Sequence, residues 1–396
     1  MSKKWREGDR REDRYAKTEK MRKRDKRTPR SADLKEEFEK PESEWPTTAG
    51  YFGARVVEVH KRYCFVSAEK VAGEVDTKDV WLATMARKFL VAERAERNFV
   101  AVGDRVLCQV ADQRDDTQKA DLPQCVIQNL MPRTSKISRI YQIDPRRAGM
   151  EQVLAANIDQ LVIVASYLNP KVRWGLIDRY LVLAEGQGIP SVIVLNKKDL
   201  LQEAEPEFLQ ACKERVQILR SLGYEVIEVS ALDPKAKSTP EMKKLGELLK
   251  GRISLLSGHS GVGKSSIINL FKPELVQAVE PDADIFYKGR HTTSFASFIR
   301  LGTGGYAIDT PGIRSFMIHE HEPIELTHCF VEMRPMLGHC KFRECRHVDE
   351  PGCVILEALA QGRIHQQRYR SYLALLLGET GRTGRVRDID PEEFEV

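Results

Sequence analysis

At 396 residues the chain is longer than one core of usual size, so about two to four domains are expected. A composition of 41% hydrophobic and 31% charged residues suits soluble globular units. No apolar run approaches the ~20 residues of a bilayer span, and the N-terminus has no apolar signal core, so cytoplasmic residence is expected. The net charge of +5 is uneven: residues 1–30 hold 14 Lys/Arg and 6 Asp/Glu, a local balance of +8, which leaves the remainder at −3.

That basic arm has almost no apolar side chains and cannot bury a core, so it is expected to be disordered when alone. A run of this kind attracts phosphate backbones without reading sequence, and nucleic acid is the favoured partner over a merely solvated tail. Residues 31–47, with Pro41 and Pro46, read as a linker. From residue 48 to 133 short β-rich runs follow one another (ARVVEVHK, RYCFVSA, DRVLCQVA, QCVIQNL), as in a small barrel of the OB type. A plain structural β domain is the alternative.

Residues 134–318 alternate strands and helices in the rhythm of a doubly wound sheet. NIDQLVIVASY and IPSVIVLN are nearly continuous apolar runs, as buried parallel strands are. The last block, 319–396, reads as short helices and loops. Cys64, Cys108, Cys125 and Cys212 lie among apolar neighbours and are expected to be buried thiols.

Gly258-His259-Ser260-Gly261-Val262-Gly263-Lys264-Ser265 matches the phosphate loop G-x-x-x-x-G-K-[ST], between a strand (RISLLS) and a helix (SSIINLF, from Ser265 and Ser266). Its glycines let backbone N–H groups curl around phosphate oxygens, with Lys264 on the β- and γ-phosphates and the Ser265 hydroxyl on Mg²⁺. Asn196-Lys197-Lys198-Asp199 is N-K-x-D at a strand end. A carboxylate at Asp199 accepts the paired donors of guanine, which adenine lacks. Ser230-Ala231-Leu232 supplies a second loop whose backbone faces the base.

Asp309-Thr310-Pro311-Gly312 is D-x-x-G, an aspartate near Mg²⁺ followed by a glycine that senses the γ-phosphate. In Gly289-Arg290-His291-Thr292-Thr293 a threonine can complete the Mg²⁺ shell; Thr293 is preferred over Thr292, and His291 is a candidate for positioning water. Ile313 follows Gly312 where a water-orienting Gln stands in Ras-like enzymes, so intrinsic hydrolysis is expected to be slow.

The guanine motifs precede the phosphate loop, so the cyclic order of the motifs is kept and the cut has moved. The chain therefore leaves the nucleotide unit just after the γ-phosphate switch and enters the Cys/His block. Nucleotide state is expected to reposition that block. There Cys340, Cys345, His347 and Cys353 supply three thiolates and an imidazole, a closed tetrahedral set suited to structural Zn²⁺; Cys329, His328 and His339 are weaker alternates. Lys341, Arg343 and Arg346, and the stretch RIHQQRYRSY at 363–372 with its two tyrosines, suit an RNA surface.

With PRTSKISR (132–139), NKKD, SAL, GHSGVGKSS, KGRHTT, DTPGIRSF and CKFRECRH…EPGC in this order, the chain resembles the circularly permuted, ribosome small-subunit-dependent GTPase A (RsgA or YjeQ) family over about residues 50–375. The resemblance implies an OB-fold domain (48–133), a permuted G domain (134–318) and a zinc domain (319–396). It also implies GTP hydrolysis to GDP stimulated by the small (30S) ribosomal subunit, in late maturation of that subunit and its 16S rRNA. A monomer is expected. The arm is longer than the motifs require, and its role does not follow from the family. A nucleotide-gated rRNA-binding scaffold with incidental hydrolysis is the rival reading.

Overall fold

The computed structural model describes residues 39–46, 48–60, 63–69, 75–86, 100–111, 122–141, 150–273, 296–309 and 323–377. The basic arm, His291, Thr292, Thr293, Thr310–Gly312 and Ile313 lie outside the described residues.

Five strands close a barrel: β1 (Tyr51–Val59), β2 (Cys64–Glu69), β3 (Val75–Met85), β4 (Arg105–Val110) and β5 (Gln124–Leu130). The order β1-β2-β3-β5-β4 returns to β1, with β3 and β5 parallel and the other pairs antiparallel. Closure removes free sheet edges. It is possible because the nine-residue β1 pairs on both sides and shifts register between Val56 and Glu58. Alternation sends Ala54, Val56, Val66, Val106, Cys108 and Ile127 inward. The expected barrel is therefore present, and Cys64, Cys108, Cys125 and Cys212 are all buried, as their apolar neighbours suggested. Residues 39–46 rest on the barrel wall: Lys40 N donates to Leu130 O at 2.9 Å, Glu42 pairs with Arg105 at 3.0 Å, and Trp45 covers Gly53.

A hairpin of β6 (Lys136–Tyr141) and β7 (Met150–Ala156) leads into the second sheet. That sheet holds β8 (Gln160–Ser166), β9 (Ser191–Asn196), β10 (Glu225–Glu228), β11 (Ile253–Ser257), β12 (Ser297–Arg300) and β13 (Tyr306–Asp309). The order is β10-β9-β8-β11-β13-β12, parallel except for β12. Helices α1 (Trp174–Gly186) and α2 (Pro206–Ser221) cover one face over Leu161, Ile163 and Ile193; α3 (Pro240–Leu249) and α4 (Lys264–Phe271) cover the other over Val162, Val164 and Val194. Both faces being covered explains the continuous apolar runs. One ladder pair, Glu58 with Ser297, joins the barrel to this sheet. At the same junction Arg133 grips the fully buried Asp104 with two bonds of 2.7 Å. Gly103 (φ +91°) is needed there, because a Cβ would sit 2.1 Å from Ala156 O.

The C-terminal unit contains α5 (Pro323–His328), α6 (Val354–Ala360) and α7 (Gln366–Leu376). Its core, with Phe330, Met333, Ile355 and Tyr372, packs on Val182 of α1. Beneath that contact lies a buried ion cluster. Asp178 of α1 accepts from Arg368 at 2.7 Å, from Ser371 Oγ at 2.5 Å and from Arg215; Arg368 also donates to Glu332 at 2.6 Å. Arg334 pairs with Glu185 nearby.

This cluster corrects one expectation. Arg368, Tyr369 and Tyr372 do not form an RNA face: they are 0%, 6% and 0% exposed. Helical periodicity turns them toward α1 and the Cys/His loop; of the other arginines in 363–372, Arg363 is exposed and Arg370 half-buried.

Candidate functional site

Every described element of the nucleotide motifs ends at the carboxyl edge of the second sheet, where ligands of open α/β sheets bind. β11 delivers Gly258, and α4 starts at Lys264 after Gly263. Gly258 and Gly263 are steric necessities. A Cβ on Gly258 would lie 2.0 Å from Val164 O, and one on Gly263 (φ +97°) 2.2 Å from Asn196 Nδ2. No side chain caps α4, which leaves its first-turn N–H groups facing the loop. Ser260, Gly261 and Ser265 are exposed, Ser266 is half-buried and Val262 is buried. Lys264 Nζ donates to the loop carbonyls of Gly258 (2.8 Å) and His259 (3.1 Å), so the ammonium is held inside the curl.

Asn196, 2% exposed, stitches the site together. Its Nδ2 donates to Val262 O in the phosphate loop and its Oδ1 accepts from Ala231 N, both at 2.9 Å. Lys197 adopts a left-handed backbone (φ 60°) and turns its ammonium onto Gly261 O at 2.8 Å and Asn169 O. The Ser230 hydroxyl accepts from Asp199 N at 3.0 Å, while the Asp199 carboxylate stays exposed at the mouth. Asp309 ends β13 opposite Leu256 of β11. Burial pushes its carboxyl up, and Lys264 draws it partly back. A cavity beside the loop is lined by Ser166, Pro170, Arg173, Tyr180 and His259.

The second cluster lies in the C-terminal unit. The ligand atoms of Cys340, Cys345, His347 and Cys353 all lie within 4.8 Å of one another. A tetrahedron with metal–sulfur bonds of ~2.3 Å has edges of about 3.8 Å between sulfurs and about 3.6 Å from sulfur to nitrogen. The observed separations are 3.9 Å for Cys340 Sγ to Cys353 Sγ, 3.5 Å for Cys340 Sγ to His347 Nδ1, and 3.3 Å for Cys353 Sγ to His347 Nδ1. The residues therefore fit a tetrahedral dication. Burial pushes the Cys345 thiol up to about 12 and keeps His347 on the neutral side. Such a set gains most from a metal that holds the thiolates as anions. His328 and Cys329 lie apart, at the end of α5 and just after it, and do not join the set.

Three supports of this loop escape sequence reasoning. Tyr369 Oη donates to His347 O at 2.6 Å and Tyr372 Oη to Arg346 O at 2.8 Å. The Glu350 carboxylate accepts from the N–H groups of Arg346, Val348 and Asp349. Burial alone would raise Glu350, but these bonds outweigh it and hold the carboxyl down to about 2. Asn169, which meets Lys197, was equally invisible; the EPG that follows Asp349 is the one local signal of a tight turn.

The closed barrel, the permuted parallel sheet with its phosphate loop, and the Cys/His unit define a circularly permuted GTPase fold. Residues 130–319 match the model of the RsgA GTPase family. The chain is 39% identical over 277 residues to a small ribosomal subunit biogenesis GTPase RsgA of Mannheimia succiniciproducens, covering 70% of this chain and 73% of that protein. It is 42% identical over 247 residues to RsgA 1 of Vibrio vulnificus, covering 62% of this chain. That match spans 66% of the Vibrio protein, just under two thirds of its length. The solved structure of YjeQ from Thermotoga maritima aligns with a TM-score of 0.57 at 31% identity, over 83% of this chain and 99% of that one. The chain belongs to the RsgA GTPase family.

Proposed function

We propose that the protein hydrolyses GTP to GDP and phosphate, that the small ribosomal subunit stimulates this, and that it acts in late 30S maturation. The observation that carries the reading is Asn196 bonded at once to the phosphate loop and the base-side loop, which couples guanine selection to phosphate binding. In this reading Gly258, Ser260, Gly261, Val262, Gly263, Lys264, Ser265 and Ser266 wrap the phosphates. Asn196, Lys197, Asp199, Ser230 and Ala231 select and cover guanine. Asp309, Gly312 and Thr293 respond to the γ-phosphate, and His291 positions water. Ser265 and Asp309 would hold a Mg²⁺ ion, which when bound would supply charge neutralisation at the phosphates. Cys340, Cys345, His347 and Cys353 hold one structural Zn²⁺.

The parts divide as a basic arm and linker (1–47), an OB-fold domain (48–133), a permuted G domain (134–318) and a zinc domain (319–396). The partners are the 30S subunit and its 16S rRNA, met by a cytoplasmic monomer. Among the described residues no helix is long and apolar enough to cross a membrane. Phosphate release from GTP, ATP and XTP, measured with small subunits present, tests the reading. GTP is expected to be the preferred substrate, and Asp199→Asn to move preference toward XTP. Equal turnover of GTP and ATP sinks the guanine assignment.

A further inference from the structure

The loop from Cys340 to Cys353 turns an aromatic ring out toward solvent. Phe342 is 46% exposed, whereas most large hydrophobics described around it are buried. The Lys341 ammonium stands 5.6 Å from the ring centroid, a cation–π arrangement. Arg343 and Arg346 are exposed on the same loop. Exposed acids there are Glu344 and Asp349, while Glu350 is turned inward onto backbone N–H groups, so cations outnumber free carboxylates.

The loop is held on several sides. Lys341 N donates to Gly352 O at 3.1 Å, Tyr372 Oη holds Arg346 O, and Tyr369 Oη holds His347 O. Gly352 (φ +76°) lets the strands of the loop close, since a Cβ there would meet Lys341 Cβ at 3.0 Å. A fixed loop keeps its ring presented, so little ordering entropy is lost when a ligand lands on it.

We propose that Phe342 is a stacking platform for an unpaired RNA base, with Lys341, Arg343 and Arg346 on the flanking phosphates. A ring framed by cations matches the two features of single-stranded nucleic acid, a π-face and a charged backbone. A base-paired helix hides that face. A lipid surface asks for a broader apolar patch than one ring. The proposal rests on the reading of the protein as an RNA-binding GTPase, and it deepens that reading by naming the contact.

The test uses the full chain and a single-stranded RNA oligonucleotide carrying 2-aminopurine, whose fluorescence is quenched when it stacks. The wild-type protein is expected to quench it. Phe342→Ala is expected to abolish the quenching and weaken binding by roughly 10- to 100-fold; Phe342→Trp is expected to keep both. Arg343→Gln is expected to weaken binding without abolishing quenching and to lower the salt slope by about one. Because Phe342 is exposed, metal content and circular dichroism should not change, which separates loss of contact from loss of fold. Unchanged quenching by Phe342→Ala overturns the proposal. So does a defect seen with whole subunits and not with the oligonucleotide, which assigns the ring to a protein partner. GTP turnover of the wild-type chain with and without subunits is read separately. Its failure removes the wider function, while the quenching still reports the ring.

Discussion

Asn196→Ala probes the joint on which the nucleotide site depends. The substitution removes two buried bonds of 2.9 Å and strands Val262 O and Ala231 N away from water. A neutral hydrogen bond contributes about 1 kcal/mol net, and a buried group left unpaired costs about 1–3 kcal/mol. Part of this is recovered when water enters the opened mouth, so roughly 2–4 kcal/mol should remain. Because both partners belong to the loops proposed to hold the nucleotide, most of the loss should fall on binding. At about 1.4 kcal/mol per decade, GDP affinity should drop roughly 30- to 700-fold. Titration with a fluorescent GDP analogue measures it, with thermal unfolding of the free protein as the control for gross damage. Asn196→Asp should be worse, because it keeps the acceptor for Ala231 N but sets a carboxylate against Val262 O. Affinity within twofold of wild type for Asn196→Ala would refute the claim that this side chain couples the two loops.

Gly263→Ala should abolish nucleotide binding in the same titration, since its Cβ would meet Asn196 Nδ2 at 2.2 Å on a φ of +97°; retained binding would show that the loop relaxes freely. Asp178→Asn leaves Arg215 and Arg368 without their shared anion and should cost about 3–5 kcal/mol in denaturant unfolding. Burial alone would raise the Asp178 carboxyl, but the two arginines outweigh it and hold it below its ordinary value. A group with a depressed folded value contributes fully above its unfolded value of about 3.9, so the gap between wild type and Asp178→Asn should be flat near neutral pH and shrink only below about pH 4. A gap that changes between pH 6 and 8 contradicts this assignment. Chelation at neutral pH, or Cys340→Ser, should release close to one zinc per chain and lower the melting temperature; zinc content near zero in the untreated protein refutes the metal site.

Much of the nucleotide site is legible in the sequence because its motifs are local. Four consecutive residues place Asn196 and Asp199, and eight place the phosphate loop, each at a strand end that hydrophobic runs already mark. The barrel is legible from short strands punctuated by glycine, though the return pairing of β4 to β1 that closes it joins residues about fifty positions apart. The C-terminal stretch at 363–372 misleads for a clear reason. Arginine and tyrosine are ordinarily surface residues, and composition cannot reveal that Asp178, 190 positions earlier, waits to neutralise Arg368. The same blindness hides the two tyrosine hydroxyls that hold the Cys/His loop.

The buried cluster also sharpens what motif order alone suggested. Leaving the sheet beyond Asp309, the chain reaches the C-terminal unit, which docks on α1 through Asp178, Val182 and Glu185. The opposite side of α1 lines the cavity next to Gly258 and His259 through Ile177 and Tyr180. The unit therefore meets the phosphate loop through a packed helix. A free swing would have to break a buried ion cluster, so nucleotide-linked movement is expected to carry α1 with it.

Multiple-turnover GTP hydrolysis, with purified small ribosomal subunits added or withheld, tests the central claim most directly. The account predicts slow release of phosphate by the isolated protein, as Ile313 next to Gly312 implies, and acceleration by at least about tenfold when subunits are present. Equal rates with and without subunits would contradict it and favour a nucleotide-gated RNA-binding scaffold.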